Sequence, residues 1–210
     1  KHETPMLTVG VLEGTETLTG WLAILDTALG GAIRRALSSG DFRGKSGDEL
    51  VLYGSGNTGF RRLLLLGLGQ SDRLDWESVR RTAGRAIRVA ERMRLESLSI
   101  SLDAFSDIDA TSTAQAAAEG AALAGWKFRE LKTASSTDPP EVTAVDIVGV
   151  DDITGVSRAV ETGAKIAVAT NFARTLQSRP GNVATPAHLA EEAERMAAQV
   201  GLDITVFNER

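Results

Sequence analysis

The side chains that could do chemistry in this sequence are few. They are two adjacent acidic pairs and two histidines: Asp151-Asp152, Glu191-Glu192, His2 and His188. A hydrolytic two-metal centre needs several carboxylates, often with a Lys or His, converging on ions about 3.5–4 Å apart. Neither acidic pair belongs to a His-containing ligand motif, and the sequence has no Cys. We therefore predict no catalytic, cofactor-binding or metal-ligating residue in this chain.

Two glycine-rich stretches could cradle a phosphate, namely the loop Gly54–Gly59 and the segment Gly67–Gly69. Glycines that follow a strand expose backbone N–H groups, which suit an anion. Neither stretch has the G-x-x-x-x-G-K-[ST] pattern, and the first lies between two predicted strands instead of opening a helix. The favoured interpretation of this loop is a hairpin turn, and the phosphate cradle is kept as the weaker alternative.

Four arginines recur at helical spacing on one side of a predicted helix: Arg81, Arg85, Arg88 and Arg92. Such a row could contact nucleic acid or another subunit. The favoured interpretation is a solvated face partly paired with Glu77 and Glu91, because surface helices ordinarily carry a charged outer face. A net charge of −5 gives no general attraction to nucleic acid, so we do not expect it as a partner.

Composition indicates an ordinary globular protein, with 42% apolar and 24% charged residues among 210. No apolar run approaches the roughly 20 residues that a membrane helix needs, so we expect no membrane partner. The absence of Cys fits a reducing compartment. A cytoplasmic protein is therefore expected.

The elements that must position these residues alternate between strands and helices. Predicted strands are Leu7–Val11, Trp21–Leu25, Glu49–Tyr53, Arg61–Gly67, Ser97–Leu102, Val142–Val150 and Asp203–Phe207. Predicted helices are Asp26–Leu37, Asp75–Arg94, Asp109–Ala124, Ile153–Leu176 and Pro186–Val200. The run Leu63–Leu66 is apolar on both faces, which is typical of a central strand covered on both sides. The fold class predicted is α/β, with a mixed sheet flanked by helices.

The stretch from Asn171 to Leu189 divides the chain. Arg179–Asn182 breaks a long helical pattern, and Thr185-Pro186 restarts a helix with an N-cap and a Pro at the first helical position. After this break about 30 residues remain, and fewer than about 40 rarely enclose a core of their own. They must pack on the first domain, pack on another copy, or open a second domain.

The same stretch resembles the N-x-A-R-x-L-x-N-x-P-x-N-x-x-T-P signature at the domain junction of the leucyl aminopeptidase family. The matching residues are Asn171, Ala173, Arg174, Leu176, Pro180, Asn182, Thr185 and Pro186. Ser178 stands where the family usually has Asn. Three more segments resemble family motifs in the same order along the chain: Gly40–Lys45, Leu64–Gly69 and Glu119–Phe128.

This resemblance implies a macro-domain-like, non-catalytic N-terminal domain over residues 1–150, a linker helix over 151–179 and an incomplete start of a peptidase domain over 180–210. It implies that the parent is a metal-dependent exopeptidase that releases N-terminal amino acids from peptides. Two divalent ions, Zn or Mn, and the peptide would bind the missing domain, within a homohexamer. The family's catalytic motifs, which include N-T-D-A-E-G-R, have no match here, so this chain is expected to hold no cofactor.

The fragment itself would then be structural or concerned with assembly. The peptidase domain would cover the apolar side of the last predicted helix and the strand that follows it. The alternative is a self-sufficient macro-like module that binds a nucleotide or nucleic acid. Metal-ligand motifs in sequence beyond Arg210 would discriminate between the two.

Overall fold

A computed structural model describes residues 3–54, 58–133, 140–149 and 153–207. The strands are β1 (Leu7–Leu12), β2 (Glu49–Tyr53), β3 (Arg62–Gly69), β4 (Ser97–Ser101) and β5 (Ala144–Val148). The helices are α1 (Gly20–Ala28), α2 (Ala32–Ser39), α3 (Trp76–Arg92), α4 (Ala110–Gly125), α5 (Ile153–Ser178) and α6 (Pro186–Val200). The strands form one sheet in the order β2-β3-β1-β4-β5, with only β2 antiparallel to its neighbour. The predicted α/β class with a mixed sheet is confirmed.

Helices cover both faces of the sheet. Leu64 and Leu66 of β3 pack in a cluster with α3, α4 and the start of α5, whereas Leu63 and Leu65 pack in a second cluster with α1 and α2. All four leucines are fully buried. This alternation confirms that the continuous apolar run is a central strand, because successive side chains of a strand point to opposite faces.

The segment after β1 differs from the prediction. The apolar run Trp21–Leu25 lies in helix α1 and is not a strand, and the predicted helix Asp26–Leu37 is divided between α1 and α2. Gly30 and Gly31 separate the two helices with φ of 60° and 83°, values that favour glycine. A five-residue apolar run does not by itself distinguish a strand from a helix that buries one side.

Asp26, the first residue of the predicted helix Asp26–Leu37, caps α2 from the helix before it. It is buried in the last turn of α1, and its Oδ1 accepts the backbone N–H of Arg34 in the first turn of α2 at 3.0 Å. The N-cap of α2 is Gly31, which has no side chain to do this. The carboxylate of one helix therefore caps the next.

Two further helix caps, Asp75 and Thr185, agree with the sequence. Asp75 accepts the backbone N–H of Ser78 at 2.7 Å and forms a capping box at the start of α3. Hydrogen bonds from Ser78 lower the pKa of the Asp75 carboxyl. Thr185 accepts the backbone N–H of His188, and Pro186 takes the first position of α6. Both predicted helix starts are confirmed.

The predicted strand Asp203–Phe207 is wrong, because these residues have no regular secondary structure. A strand needs a neighbour to accept and donate its backbone hydrogen bonds. Within the described residues no strand lies beside this segment.

Candidate functional site

The first polar residues of the junction signature, Asn171 and Arg174, lie where the last turns of α5 meet the end of α4. Asn171 Nδ2 donates to the carbonyl of Ala122 at 3.2 Å, and Arg174 Nη1 donates to that of Leu123 at 2.9 Å. The last carbonyls of a helix lack partners within it and attract cations. Arg174 also donates to Asn171 Oδ1 at 2.9 Å, so each side chain orients the other. The two residues cap α4 and fix α5 against it.

Trp126, which directly follows α4, completes this contact. The guanidinium carbon of Arg174 lies 4.0 Å from the centroid of the Trp126 ring, and Trp126 Nε1 donates to Thr175 Oγ1 at 3.1 Å. A planar guanidinium can stack on a ring and donate to a carbonyl at the same time. The geometry explains why the signature has an arginine at position 174.

A second cluster connects α6 to the first domain, and we call it the Arg179 latch. Its members are Arg179, Glu130, His188 and Glu192. Arg179 donates to both carboxylate oxygens of Glu130 at 2.7 Å and to Glu192 Oε1 at 3.0 Å. His188 Nε2 lies 2.8 Å from Arg179 Nη1 and serves as an acceptor, because a guanidinium only donates. The side chains of Arg179 and Glu192 are only 15% and 8% exposed.

The latch carries a pH dependence whose sign follows from its hydrogen bonds. Those from Arg179 lower the pKa of both Glu130 and Glu192. A lowered pKa in the folded state gives stabilisation that is complete above the ordinary Glu value of about 4.3 and is lost as the pH falls through the lowered value. We therefore expect the backbone amides of α6 to lose protection from hydrogen exchange below about pH 4.3, before those of α3.

Hydrogen exchange followed by mass spectrometry between pH 7 and pH 3 measures this effect, with intrinsic rates corrected for pH. The variant Arg179→Gln is the control, since it should show weak protection of α6 already at pH 7. Its further step in acid should be smaller, because the contacts with Arg179 are lost and the contact of Arg195 with Glu192 at 2.8 Å remains. Equal protection of α6 in the variant and the parent at pH 7 would show that the latch does not hold the helix.

The apolar side of α6 is only partly covered. Ala197 is buried, whereas Leu189 and Val200 are exposed. Beyond the helix Leu202, Ile204 and Phe207 are also exposed, the last to 91%. Neighbouring exposed apolar side chains of this kind mark a contact surface. We call these five residues the α6 apolar surface.

The residues singled out for metal chemistry do not come together. His2 and the pair Asp151-Asp152 lie outside the described residues. Glu191 is exposed, and Glu192 and His188 serve the latch. Among the residues that the structure describes, no group of three or more His, Asp or Glu side chains could hold a metal ion. The described residues therefore do not fit a two-metal centre.

The Gly67–Gly69 segment does not present a phosphate cradle. The N–H groups of Gly67 and Gly69 donate to the carbonyls of Asp48 and Gly44, both at 2.9 Å, and are therefore occupied. A Cβ on Gly67 would lie 2.0 Å from the Lys45 carbonyl oxygen. Glycine is required there because two backbone segments touch. This contact joins the Gly40–Lys45 motif to the Leu64–Gly69 motif and explains the glycine at position 67.

The hairpin interpretation of the loop Gly54–Gly59 is confirmed, because β2 and β3 on either side of it pair antiparallel. Residues 55–57 of the loop lie outside the described part of the chain.

The row of four arginines is not simply a solvated face. Arg85 Nη1 donates to the Gly67 carbonyl at 3.1 Å, and its Nη2 donates to those of Gly47 and Asp48 at 2.9 and 2.6 Å. It therefore ties α3 to the ends of two strands. Arg81 Nε lies 3.7 Å from Oε1 of Glu77, its predicted partner.

The predicted partner Glu91 does not pair with this row. Its Oε1 instead lies 2.8 Å from Lys127 Nζ, an ion pair whose angles do not make a hydrogen bond. Arg92 pairs with Glu49. The ion pair between half-buried Arg80 and buried Glu119 was missed, although a single Glu within an alanine-rich helix was a signal for it.

None of the described helices is long and apolar enough to cross a membrane.

These features define a class of protein, a three-layer α/β domain. Its long helix α5 is followed by a short connection to one more helix, α6. The Cytosol aminopeptidase family, N-terminal domain, matches residues 8–135. This chain belongs to that family, and the predicted family resemblance is confirmed.

Relatives described as "Probable cytosol aminopeptidase" match over nearly the whole chain. Those of Alkaliphilus oremlandii and Syntrophotalea carbinolica are 32% and 34% identical over 96% and 99% of this chain. The chain spans 41% and 42% of the length of these relatives.

Solved structures show the same fold. A mutant of tomato leucine aminopeptidase is 25% identical, with a TM-score of 0.80 over 95% of this chain and 40% of that protein. The bottromycin maturation enzyme BotP, in complex with Mn, has a TM-score of 0.73 over 98% of this chain and 39% of that protein, at 23% identity. Nothing in these comparisons supports a self-sufficient nucleotide or nucleic-acid module.

Proposed function

We propose that this chain is the non-catalytic N-terminal part of a metal-dependent aminopeptidase that releases N-terminal amino acids from peptides. The observation that carries the proposal is the alignment, in which almost the whole chain matches only about 41% of a cytosol aminopeptidase. We assign residues 1–150 to the N-terminal domain, 151–179 to the linker helix and 180–210 to the start of the peptidase domain. The parent would be cytoplasmic and hexameric, with its peptide and two Zn or Mn ions bound by the peptidase domain.

The contribution of this part is to position the peptidase domain. Asn171 and Arg174 fix α5 on α4, and the Arg179 latch holds α6 against the segment that follows α4. The linker helix therefore leaves the first domain in one orientation. The α6 apolar surface would pack against the rest of the peptidase domain, which supplies the apolar partner that it lacks here.

The test is an activity assay on this chain and on a chimera. The chimera joins residues 1–210 to the portion of the Syntrophotalea carbinolica relative that follows the aligned region. With Mn²⁺ or Zn²⁺ added, we expect the chimera to hydrolyse leucine 4-nitroanilide and this chain to show no hydrolysis. Calorimetry should show no tight stoichiometric metal site on this chain.

One or two tight Mn²⁺ or Zn²⁺ sites per chain, or hydrolysis by residues 1–210, would overturn the proposal. The matched control for the chimera is the same relative's peptidase portion alone. If that portion were equally active and equally stable without residues 1–210, the positioning role would be wrong.

A further inference from the structure

A cavity of about 610 Å³ opens at the edge of the sheet where β1 and β3 end. Its walls are the Gly67–Gln70 segment, the Ser46-Gly47 turn and the first turns of α3. Sites for small molecules usually have volumes of roughly 300–1,000 Å³. The cavity is therefore large enough for a ligand of the size of a mononucleotide.

The strand order makes this edge a natural binding position. The chain leaves β1 to form β3 on one side of it, then returns through α3 to form β4 on the other side. In open α/β sheets, ligands bind outside the carboxyl ends of the strands where the connections diverge in this way. The connections diverge between β1 and β4, and the cavity opens beside that point, at the carboxyl ends of β1 and β3.

The charge of the lining is positive although the chain is acidic overall. The lining has three arginines, Arg73, Arg81 and Arg85, against one carboxylate, Glu13, an excess of two positive charges. The whole chain has a net charge of −5. A concave surface with an excess of one charge attracts ligands of the opposite sign.

Two of these guanidiniums are available to a ligand. Arg81 is 67% exposed. Its Nε donates to the Glu77 carbonyl at 3.4 Å and lies 3.7 Å from the Glu77 carboxylate, so its two terminal nitrogens remain for a ligand. Arg73 is exposed, and within the described residues its guanidinium has no ion-pair or hydrogen-bond partner. Arg85 is held in the wall by three backbone carbonyls, which leave its charge without a hydrogen-bonded carboxylate.

We propose that this cavity binds a compact phosphorylated ligand of the nucleoside diphosphate class. Arg73 and Arg81 would donate to the phosphate oxygens, because a guanidinium matches the geometry of an oxyanion. The backbone N–H groups of Gly67 and Gly69 are already occupied, so the arginines carry the recognition. Glu13 at the rim repels additional phosphate and accepts hydrogen bonds from hydroxyl groups, which favours a ligand that carries a sugar.

The experiment is calorimetric titration of the 210-residue chain with ADP, inorganic pyrophosphate and adenosine, at 50 and 300 mM salt. We expect ADP to bind and to bind more weakly at the higher salt concentration, since an ion-pair contact is screened. Arg73→Gln combined with Arg81→Gln should weaken ADP binding at least tenfold. Both side chains are exposed, so the melting temperature should hardly change.

Arg61→Gln is the matched control, because Arg61 is an exposed arginine at the opposite end of β3. It should leave the affinity unchanged. Pyrophosphate that binds as tightly as ADP would support the site as one for the diphosphate group alone, and tighter ADP would support the nucleotide. Absence of ADP binding at millimolar concentration, equal binding of adenosine, or equal loss in Arg61→Gln would overturn the proposal. None of these results depends on peptidase activity.

Discussion

Replacing Gly120 with alanine is expected to destabilise the fold by about 3 kcal/mol, the upper part of the usual range for overpacking. A Cβ at this position would lie 2.1 Å from the Arg80 carbonyl oxygen and 2.8 Å from its carbonyl carbon and Cα. These are backbone atoms of α3, which cannot rotate away as a side chain could. Helices α3 and α4 would have to separate, and their separation would open the core that they share.

Urea denaturation followed by circular dichroism measures this difference. Gly125→Ala in the same helix is the matched control, because a Cβ there meets no atom within 4 Å. That variant should be unchanged or stabilised by up to about 1 kcal/mol, because alanine has the higher helix propensity. Similar unfolding midpoints for the two variants would contradict the close approach of α3 and α4.

Replacing Arg80 with methionine is expected to cost about 3 kcal/mol, because it leaves a buried carboxylate without its cation. Arg80 Nε donates to Glu119 Oε2 at 2.8 Å, and the Glu119 side chain is only 6% exposed. The other oxygen of Glu119 accepts from Gln115 Nε2 at 2.9 Å. One amide does not replace a guanidinium as the partner of a buried charge.

The same urea assay tests this effect, with Arg81→Met as control. Arg81 is the neighbouring arginine of α3, 67% exposed, and its loss should change stability by no more than about 0.5 kcal/mol. The double variant Arg80→Met with Glu119→Leu should recover much of the loss, because apolar side chains can replace a buried ion pair. If the single Arg80→Met variant were as stable as the control, the Glu119 carboxylate would not remain buried without its cation, and the explanation would be wrong.

Much of this architecture could be predicted from local patterns. The run Leu63–Leu66 predicted a central strand, because the side chains that point to either face of the sheet are all apolar. The helices α3 and α6 were predicted from caps, Asp75 and Thr185, whose partners lie three residues away. The junction signature and three shorter motifs identified the family because residue types recur in a set order. All of these signals depend on residues close together in the chain.

The tertiary structure decided what depends on distant partners. Trp21–Leu25 became a helix because packing against the sheet overrode an ambiguous five-residue pattern. Arg179 joins Glu130, 49 residues away, and Arg85 reaches the Gly47 carbonyl 38 residues away. No local periodicity encodes such pairs, because they form only when the sheet and its helices are assembled. The segment Asp203–Phe207 shows the converse: its residues suit a strand, but a strand forms only where another backbone lies beside it.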